Sequence, residues 1–295
     1  MKDNLPLVSI GIPTYNRAKL LKRSIESLLS QDYENIEILI SDNASTDNTQ
    51  EVCQHYVQKD SRIKYVQHAT NHGPGENFSY VLLNATGQFF MWLGDDDWLD
   101  SDYISKCVNQ LINDKVFSLV SGTSKYYKGN INCYDGSVFS LLSNFWWQRM
   151  ISYYWQVADN GMFYGVMRTH QIKQVKMMNT MGGDWLLIAN IVFMGKVKVF
   201  SDISVHRELG GASTNFKKIV ETLGLPRIQG VFPATSIACG AWMDIVKNSL
   251  SYKLKPFFIR VILGTIIFFV IIVNSLFNKY KRLKVRFTRV LGYFK

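Results

Sequence analysis

The stretch Gln88-Phe89-Phe90-Met91-Trp92-Leu93-Gly94-Asp95-Asp96-Asp97-Trp98-Leu99 decides the fold. Gln88 to Leu93 is a short apolar run closed by a glycine, the signature of a buried strand, and it runs straight into three adjacent carboxylates. Upstream, the same kind of run occurs three more times. Leu7 to Ile12 stops at Pro13, Ile36 to Ser41 stops at Asp42, and Arg62 to Gln67 stops short of Asn71. Helical spacing fills the intervals. Leu20, Leu21, Ile25, Leu28 and Leu29 recur at helical intervals in Ala18 to Ser30, and Asp47 to Gln58 and Glu76 to Asn84 are further helices. Strands alternating with helices over the first ~120 residues predict an α/β fold, a mostly parallel sheet flanked by helices. In such sheets ligands sit beyond the carboxyl ends of the strands, where strand order reverses. Thr14 to Arg17, Asp42 to Asn48, Asn71 to Glu76 and Gly94 to Asp97 are the polar segments at those ends, so four loops can converge on one pocket.

Three adjacent carboxylates repel one another and need a partner. A hard divalent cation, Mg²⁺ or Mn²⁺, takes oxygen ligands, and phosphate-binding sites use one or two carboxylates while the substrate completes the shell. A solvated acidic turn is the other reading. Asp42-Asn43-Ala44-Ser45-Thr46-Asp47 offers groups able to read a base or ribose. It equally suits helix capping, with Ser45 or Thr46 as cap and Asp47 in the first turn. In Asn71-His72-Gly73-Pro74-Gly75 the glycines and proline make a turn and let backbone approach a ligand; His72 reads as a solvated loop residue. Gly182-Gly183-Asp184-Trp185 precedes an apolar run, so Asp184 is either a favourable carboxylate at a helix N-terminus or a general base.

The chain has 295 residues, 47% of them hydrophobic, enough for a sizeable core. The net charge of +10 suggests a nucleic-acid partner until it is located. Ten of the 33 basic residues fall from Ser251 onward with no acidic residue among them, leaving 23 against 23 before that point. The body is formally neutral, and a nucleic-acid partner is not expected. Cys53, Cys107, Cys133 and Cys239 are too scattered for a zinc site or disulfide scaffold, which fits a reducing compartment. The N-terminus, with Lys2 and Asp3 before a brief apolar run, gives no export signal. Trp146, Trp147, Tyr153, Tyr154 and Trp155 cluster in a less regular second half, either stacking on sugar faces or filling a core.

The four loops in this order resemble the family-2 glycosyltransferases with the GT-A fold. The resemblance runs from Val8-Ser9-Ile10-Gly11-Ile12-Pro13-Thr14-Tyr15-Asn16-Arg17, through the Asp42 and Asn71 loops and the aspartates, to Gly183-Asp184-Trp185. It implies a Rossmann-like GT-A domain and a nucleoside-diphosphate sugar donor, usually a UDP-sugar, whose base and ribose are held by Pro13, Thr14, Asn16 and Asp42. Tyr15, Arg17, Asn71 and Gly73 belong to the same expected donor site. Asp95 then approaches the ribose and diphosphate, Asp96 and Asp97 hold the metal, and His206 is a candidate third ligand. The family often reads D-x-D-D, and here Gly94 stands at its first position. Asp184 resembles the catalytic base, although Gly183 replaces the family's frequent Glu. His206-Arg207 and Gly210-Gly211-Ala212-Ser213 resemble the loop that closes over the diphosphate.

The resemblance divides the chain into a nucleotide-sugar-binding half (1–120), an acceptor-binding half with the base (121–215), a connecting segment (216–250) and a hydrophobic, basic membrane-association tail (251–295). In that tail Val261 to Val273 is nearly all apolar. Reaching the ~20 residues of a span requires taking in Arg260 and Asn274. Lys253, Lys255 and Arg260 precede it and Lys279, Lys281, Arg282, Lys284, Arg286 and Arg289 follow, so a single span strands one basic cluster on the wrong side. A re-entrant or interfacial helix at the anionic cytoplasmic face of the inner or plasma membrane keeps both clusters there; a buried core helix followed by a solvated tail is the other reading, which the high basicity disfavours. The expected enzyme is an inverting glycosyltransferase acting on a glycan or lipid-linked acceptor in cell-surface polysaccharide synthesis. Its competitors are a two-metal nucleotidyltransferase and a nucleotide-sugar-binding membrane protein without catalysis.

Overall fold

A computed structural model describes residues 5–210 and 215–292, with side chains through residue 280. Lys2, Asp3, the expected loop residues Gly211, Ala212 and Ser213, and Lys295 lie outside the described residues.

The alternating half follows the predicted periods closely: β1 (Val8–Thr14), α1 (Ala18–Leu29), β2 (Ile36–Asp42), α2 (Thr49–Lys59), β3 (Ile63–Gln67), α3 (Pro74–Leu83) and β4 (Phe89–Trp92). Then come β5 (Trp98–Leu99), α4 (Tyr103–Asn113), β6 (Phe117–Lys128), β7 (Ile131–Asp135), α5 (Trp146–Gln156), β8 (Val166–Arg168) and α6 (Thr169–Ile172). The remainder is α7 (Gly183–Met194), β9 (Lys196–Glu208), α8 (Phe216–Thr222), α9 (Arg227–Val231), α10 (Pro233–Met243) and α11 (Phe257–Gly292). A π-helical turn, Asp244–Asn248, joins α10 to the approach of α11.

Among the described residues the strands form one sheet in the order β3-β2-β1-β4-β8-β6-β9-β5, with β7 on β6. From β3 to β4 the pairing is parallel, as predicted. Beyond β4 it is mixed: β8 runs antiparallel to β4 and β6, β5 antiparallel to β9, and β6 parallel to β9. β1 has β2 on one side and β4 on the other, so strand order reverses between β1 and β4. Their carboxyl ends, at Thr14 and just before Asp95, flank the crevice where such sheets bind ligands.

Each face of the sheet carries its own core. Ile10, Ile12, Phe89 and Met91 pack with Leu21, Ile25, Ile104 and Leu111 under α1 and α4. Phe90 and Trp92 point the other way, to a larger core built with α3, α5, α7 and α10. Successive residues of one strand thus feed opposite cores, the period of two that a sheet covered on both faces demands. α7 has no polar stripe, because it runs through the middle of the larger core with Leu186 to Phe193 buried. Tyr153 and Tyr154 are fully enclosed, so the aromatic cluster fills core at these positions; Trp147 and Trp155 remain about 45% exposed.

Candidate active site

The loop after β1 is pinned by its own polar groups. Asn16 takes a left-handed conformation (φ 55°), its amide donates to Ser45 Oγ at 2.8 Å, and its Oδ1 accepts from the Thr46 amide at 2.8 Å. The first two loops are therefore one unit. Thr14 Oγ1 donates to Asp95 Oδ2 at 2.8 Å, bridging the carboxyl ends of β1 and β4 across the switch point. Arg17 stands close enough for its charge to favour the ionised forms of Asp95 and Asp96. Pro13 is buried at the strand end and Tyr15 is 44% exposed beside it. In the third loop Asn71 Oδ1 accepts from Asn43 Nδ2 and from the Gly73 amide, both at 2.8 Å. Gly73 itself sits at φ 85°, where a side chain is strained. Asn77, in the first turns of α3, donates to the carbonyls of Thr14 (3.2 Å) and Ser41 (3.0 Å) and holds the ends of β1 and β2 together.

Asp42 differs from the expectation. It is wholly buried, its Oδ1 accepts from the Ser45 amide at 2.9 Å and its Oδ2 from the Tyr65 hydroxyl at 2.8 Å. Both oxygens are engaged inside the protein, so Asp42 shapes the loop from beneath. Asp47 precedes α2 and accepts from the amides of Thr49 and Ala18, a turn organiser outside the helix's first turn.

The aspartate loop turns back on itself. The amide of Asp97 reaches the Gly94 carbonyl, and Asp97, 2% exposed, is tucked beneath the turn with Oδ1 accepting from the Glu208 amide. Its Oδ2 lies 3.7 Å from Arg207 Nε and has no hydrogen-bond partner. A Cβ on Gly94 would stand 2.6 Å from that same oxygen, so the Asp97 side chain would have to shift to admit the aspartate of the related motif. Arg23 from α1 clamps the loop from outside, donating to the Asp96 carbonyl at 2.8 Å and to Glu208 at 3.0 Å, with its guanidinium over the Trp98 ring. Burial, then the neighbouring charge of Asp96, pushes Asp95 from 3.8 up to about 7. Burial also raises Asp96 and Asp97, with Arg207 opposing it in both.

His206 does not reach this centre as a free ligand. Its Nε2 is 2.7 Å from Asp100 Oδ1, its Nδ1 is 3.1 Å from the Tyr127 hydroxyl, and its ring stacks on Trp98. Both nitrogens are occupied, which corrects the third-ligand expectation. Among the described residues no three His, Cys, Asp or Glu side chains form a cation cage. Asp95 and Asp96, crowded together with burial and mutual charge working against their ionisation, still fit a hard cation whose remaining ligands are phosphate oxygens and water.

Arg207, named in the sequence only as part of a closing loop, is the hub. It donates to the hydroxyls of Tyr126 (2.9 Å) and Tyr164 (3.1 Å) and lies over both rings. Burial works against its charge, yet Tyr164, Asp97 and Tyr126 hold its pKa above the ordinary value. Its field also reaches Asp184. Asp184 is open to water at its surface while protein surrounds it otherwise, as on a cleft floor, and that surrounding raises its pKa. Asn160 Nδ2 donates to Asp184 Oδ2 at 3.2 Å, and Asn160 Oδ1 in turn accepts from the buried Tyr153 hydroxyl. No motif marks Asn160 in the sequence. The helix carrying Asp184 starts with Gly182 at φ 71° and Gly183, where a Cβ would lie 2.1 Å from the Met178 carbonyl oxygen. Glutamate has no room there.

Residues 9–174 match the family model Glycosyl transferase family 2. The chain belongs to glycosyl transferase family 2. Within the family it is 39% identical over 102 residues to the GalNAc(5)-diNAcBac-PP-undecaprenol beta-1,3-glucosyltransferase of Campylobacter jejuni, covering 34% of this chain and 33% of that one. It is 27% identical over 228 residues to the hyaluronan synthase of Pasteurella multocida, covering 74% and 22%. The chain spans well under half the length of these curated relatives. Crystal structures share its fold: S. aureus TarS 1-349 in complex with UDP-GlcNAc has a TM-score of 0.57 at 21% identity, covering 86% of this chain and 72% of TarS. The mannosyltransferase PcManGT from Pyrobaculum calidifontis in complex with GDP-Man and Mn2+ has a TM-score of 0.55 at 14% identity, covering 94% and 89%. The GT-A-like, Rossmann-like architecture expected from the family-2 motifs is thus the one the chain adopts.

Proposed function

We propose that this family-2 protein is an inverting glycosyltransferase that moves a sugar from a nucleoside-diphosphate donor, a UDP-sugar by preference, to a glycan or lipid-linked acceptor in cell-surface polysaccharide synthesis. Its place is the cytoplasmic face of the membrane. The observation that carries the reading is the aspartate loop at the end of β4. It is bonded to Thr14 across the switch point and paired through Arg207, whose field also reaches Asp184.

In this reading Pro13, Thr14, Tyr15 and Asn16 bind base and ribose, with Asn71 and Gly73 closing that pocket, while Asp42 only supports it. Arg17 and Asp95 lie toward the diphosphate. Asp96, with Asp95, would hold a divalent cation, which when bound would offset the charge that develops on the departing diphosphate. Asp97 stays beneath, keeping Arg207 in place. Asp184 accepts the acceptor's hydroxyl proton as that oxygen attacks the anomeric carbon; one displacement breaks the bond to phosphate, forms the glycosidic bond and inverts the centre. Asn160 orients the base. The names of relatives and neighbours support the substrate class: an undecaprenol-linked acceptor in one, UDP-GlcNAc and GDP-Man with Mn2+ in others.

Asp184→Asn keeps size and helix position while removing the basic oxygen. We expect turnover to fall by ~10²-fold or more with UDP affinity unchanged. Near-normal turnover with intact donor binding excludes Asp184 as the base.

A further inference from the structure

α11 is long and apolar enough to cross a membrane from Phe257 to Tyr280, yet it does not stand free of the body. Leu263, Ile267 and Ile271, spaced four apart, are buried in the larger core. Arg260 Nη1 donates to the Val246 carbonyl at 2.7 Å near one end, Gly264 abuts Trp242 and Val246, and Asn274 Nδ2 donates to the Trp155 carbonyl at 2.9 Å. Phe277 stacks on Trp155 beyond that. From Arg260 to Phe277, at roughly 1.5 Å per residue, the body follows the helix for about 25 Å, nearly the ~30 Å thickness of a bilayer's hydrocarbon. If α11 crossed the membrane, α5 and α10 would have to enter it alongside. Gln148 and Gln156 on α5 and Lys247 and Asn248 beside α10 are exposed and have no business in hydrocarbon.

The opposite side of α11 is a continuous apolar stripe. Phe258, Ile262, Ile266, Phe269, Val273 and Leu276 are each 42–63% exposed and recur at three- and four-residue steps. Lys253 and Lys255 flank its start, and from Ser251 to the end every charged residue in the sequence is basic. An apolar stripe bordered by unopposed positive charge matches an anionic lipid surface, with acyl chains below and phosphate headgroups at the rim.

We infer that α11 lies in the plane of an anionic bilayer's interface, its outer stripe buried among the lipids and its inner stripe fixed to the enzyme. It does not span. The inference rests on the membrane-surface reading above and adds the orientation. It also puts the small cavity between α5 and α11, lined by Gln156, Ala158 and Asn274, at the lipid boundary two residues from Asn160.

The test is flotation of the full chain with vesicles of neutral lipid alone or neutral lipid with anionic phosphatidylglycerol, followed by alkaline carbonate washing. We expect flotation with the anionic vesicles, release by carbonate, and at least a tenfold loss of flotation in Ile266→Glu/Phe269→Glu with an unchanged melting curve. Lys253→Glu/Lys255→Glu should weaken flotation several-fold without touching the stripe. No flotation of the wild type removes the membrane reading altogether. Flotation that survives carbonate shows a span and overturns the orientation alone. A dimer in lipid-free buffer that the stripe substitutions dissociate, with flotation unaffected, gives the stripe to a second copy and overturns the inference.

Discussion

Asp95, Asp96 and Asp97 share one turn, and the charges of Arg17 and Arg207 oppose theirs. Raised carboxyl pKa values mean that the folded protein holds protons more tightly than the unfolded chain between about 4 and about 7. Without a divalent ion these groups therefore contribute most to stability below that window, and the contribution is lost as pH rises through it. Melting temperature in chelator is expected to fall from pH 5 to pH 8. With Mn²⁺ and UDP present the fall should shrink, because ligand binding favours the ionised carboxylates; equal slopes with and without ligand contradict the assignment. Asn160 acts at the same scale but one step removed. Asn160→Ala should lower kcat by roughly tenfold while leaving the KM for donor near its original value, since it orients Asp184 and lies outside the donor loops. A change confined to donor KM would place it elsewhere.

Gly183 and Asn77 set how the elements meet at the site. Gly183→Ala forces a Cβ toward the Met178 carbonyl, and overpacking against backbone costs about 1–3 kcal/mol, so the start of α7 should shift and both melting temperature and activity drop. Asn77→Ala removes donors from two buried strand-end carbonyls, a loss of about 1–3 kcal/mol that should also weaken UDP binding, because it loosens the ends of β1 and β2 together. Donor affinity unchanged in a folded Asn77→Ala protein would sever that link. The donor-half elements were legible because their periods are clean and each strand ends in turn-forming residues. β6 was not. Its Ser118, Ser121, Thr123 and Ser124 are buried where a strand reading expects apolar groups, and Ser118 and Thr123 are satisfied by the carbonyls of Ile191 and Phe200, partners distant in sequence. The same limit hid Asn160, whose meaning lies in a contact across 24 positions. It also hid the partners of His206, a candidate third ligand in the sequence, whose ring Asp100 and Tyr127 hold.

Across the whole molecule, one sheet carries the loops after β1, β2, β3 and β4, while α11 packs along α5 and α10. The aspartates follow β4, Asp184 begins α7, and Arg207 at the end of β9 acts by its charge on both. The order of family-2 motifs along the chain foretold the fold; the mixed pairing beyond β4 carries no such mark in the sequence. The central claim is that the loops at the strand ends bind a nucleoside diphosphate through a cation held by Asp96. Isothermal titration of the full chain with UDP, with and without Mn²⁺, on the wild type and Asp96→Ala, tests it most directly. Binding should require Mn²⁺ and be lost in Asp96→Ala; equal binding without the metal, or in the mutant, would rule out a cation held by Asp96.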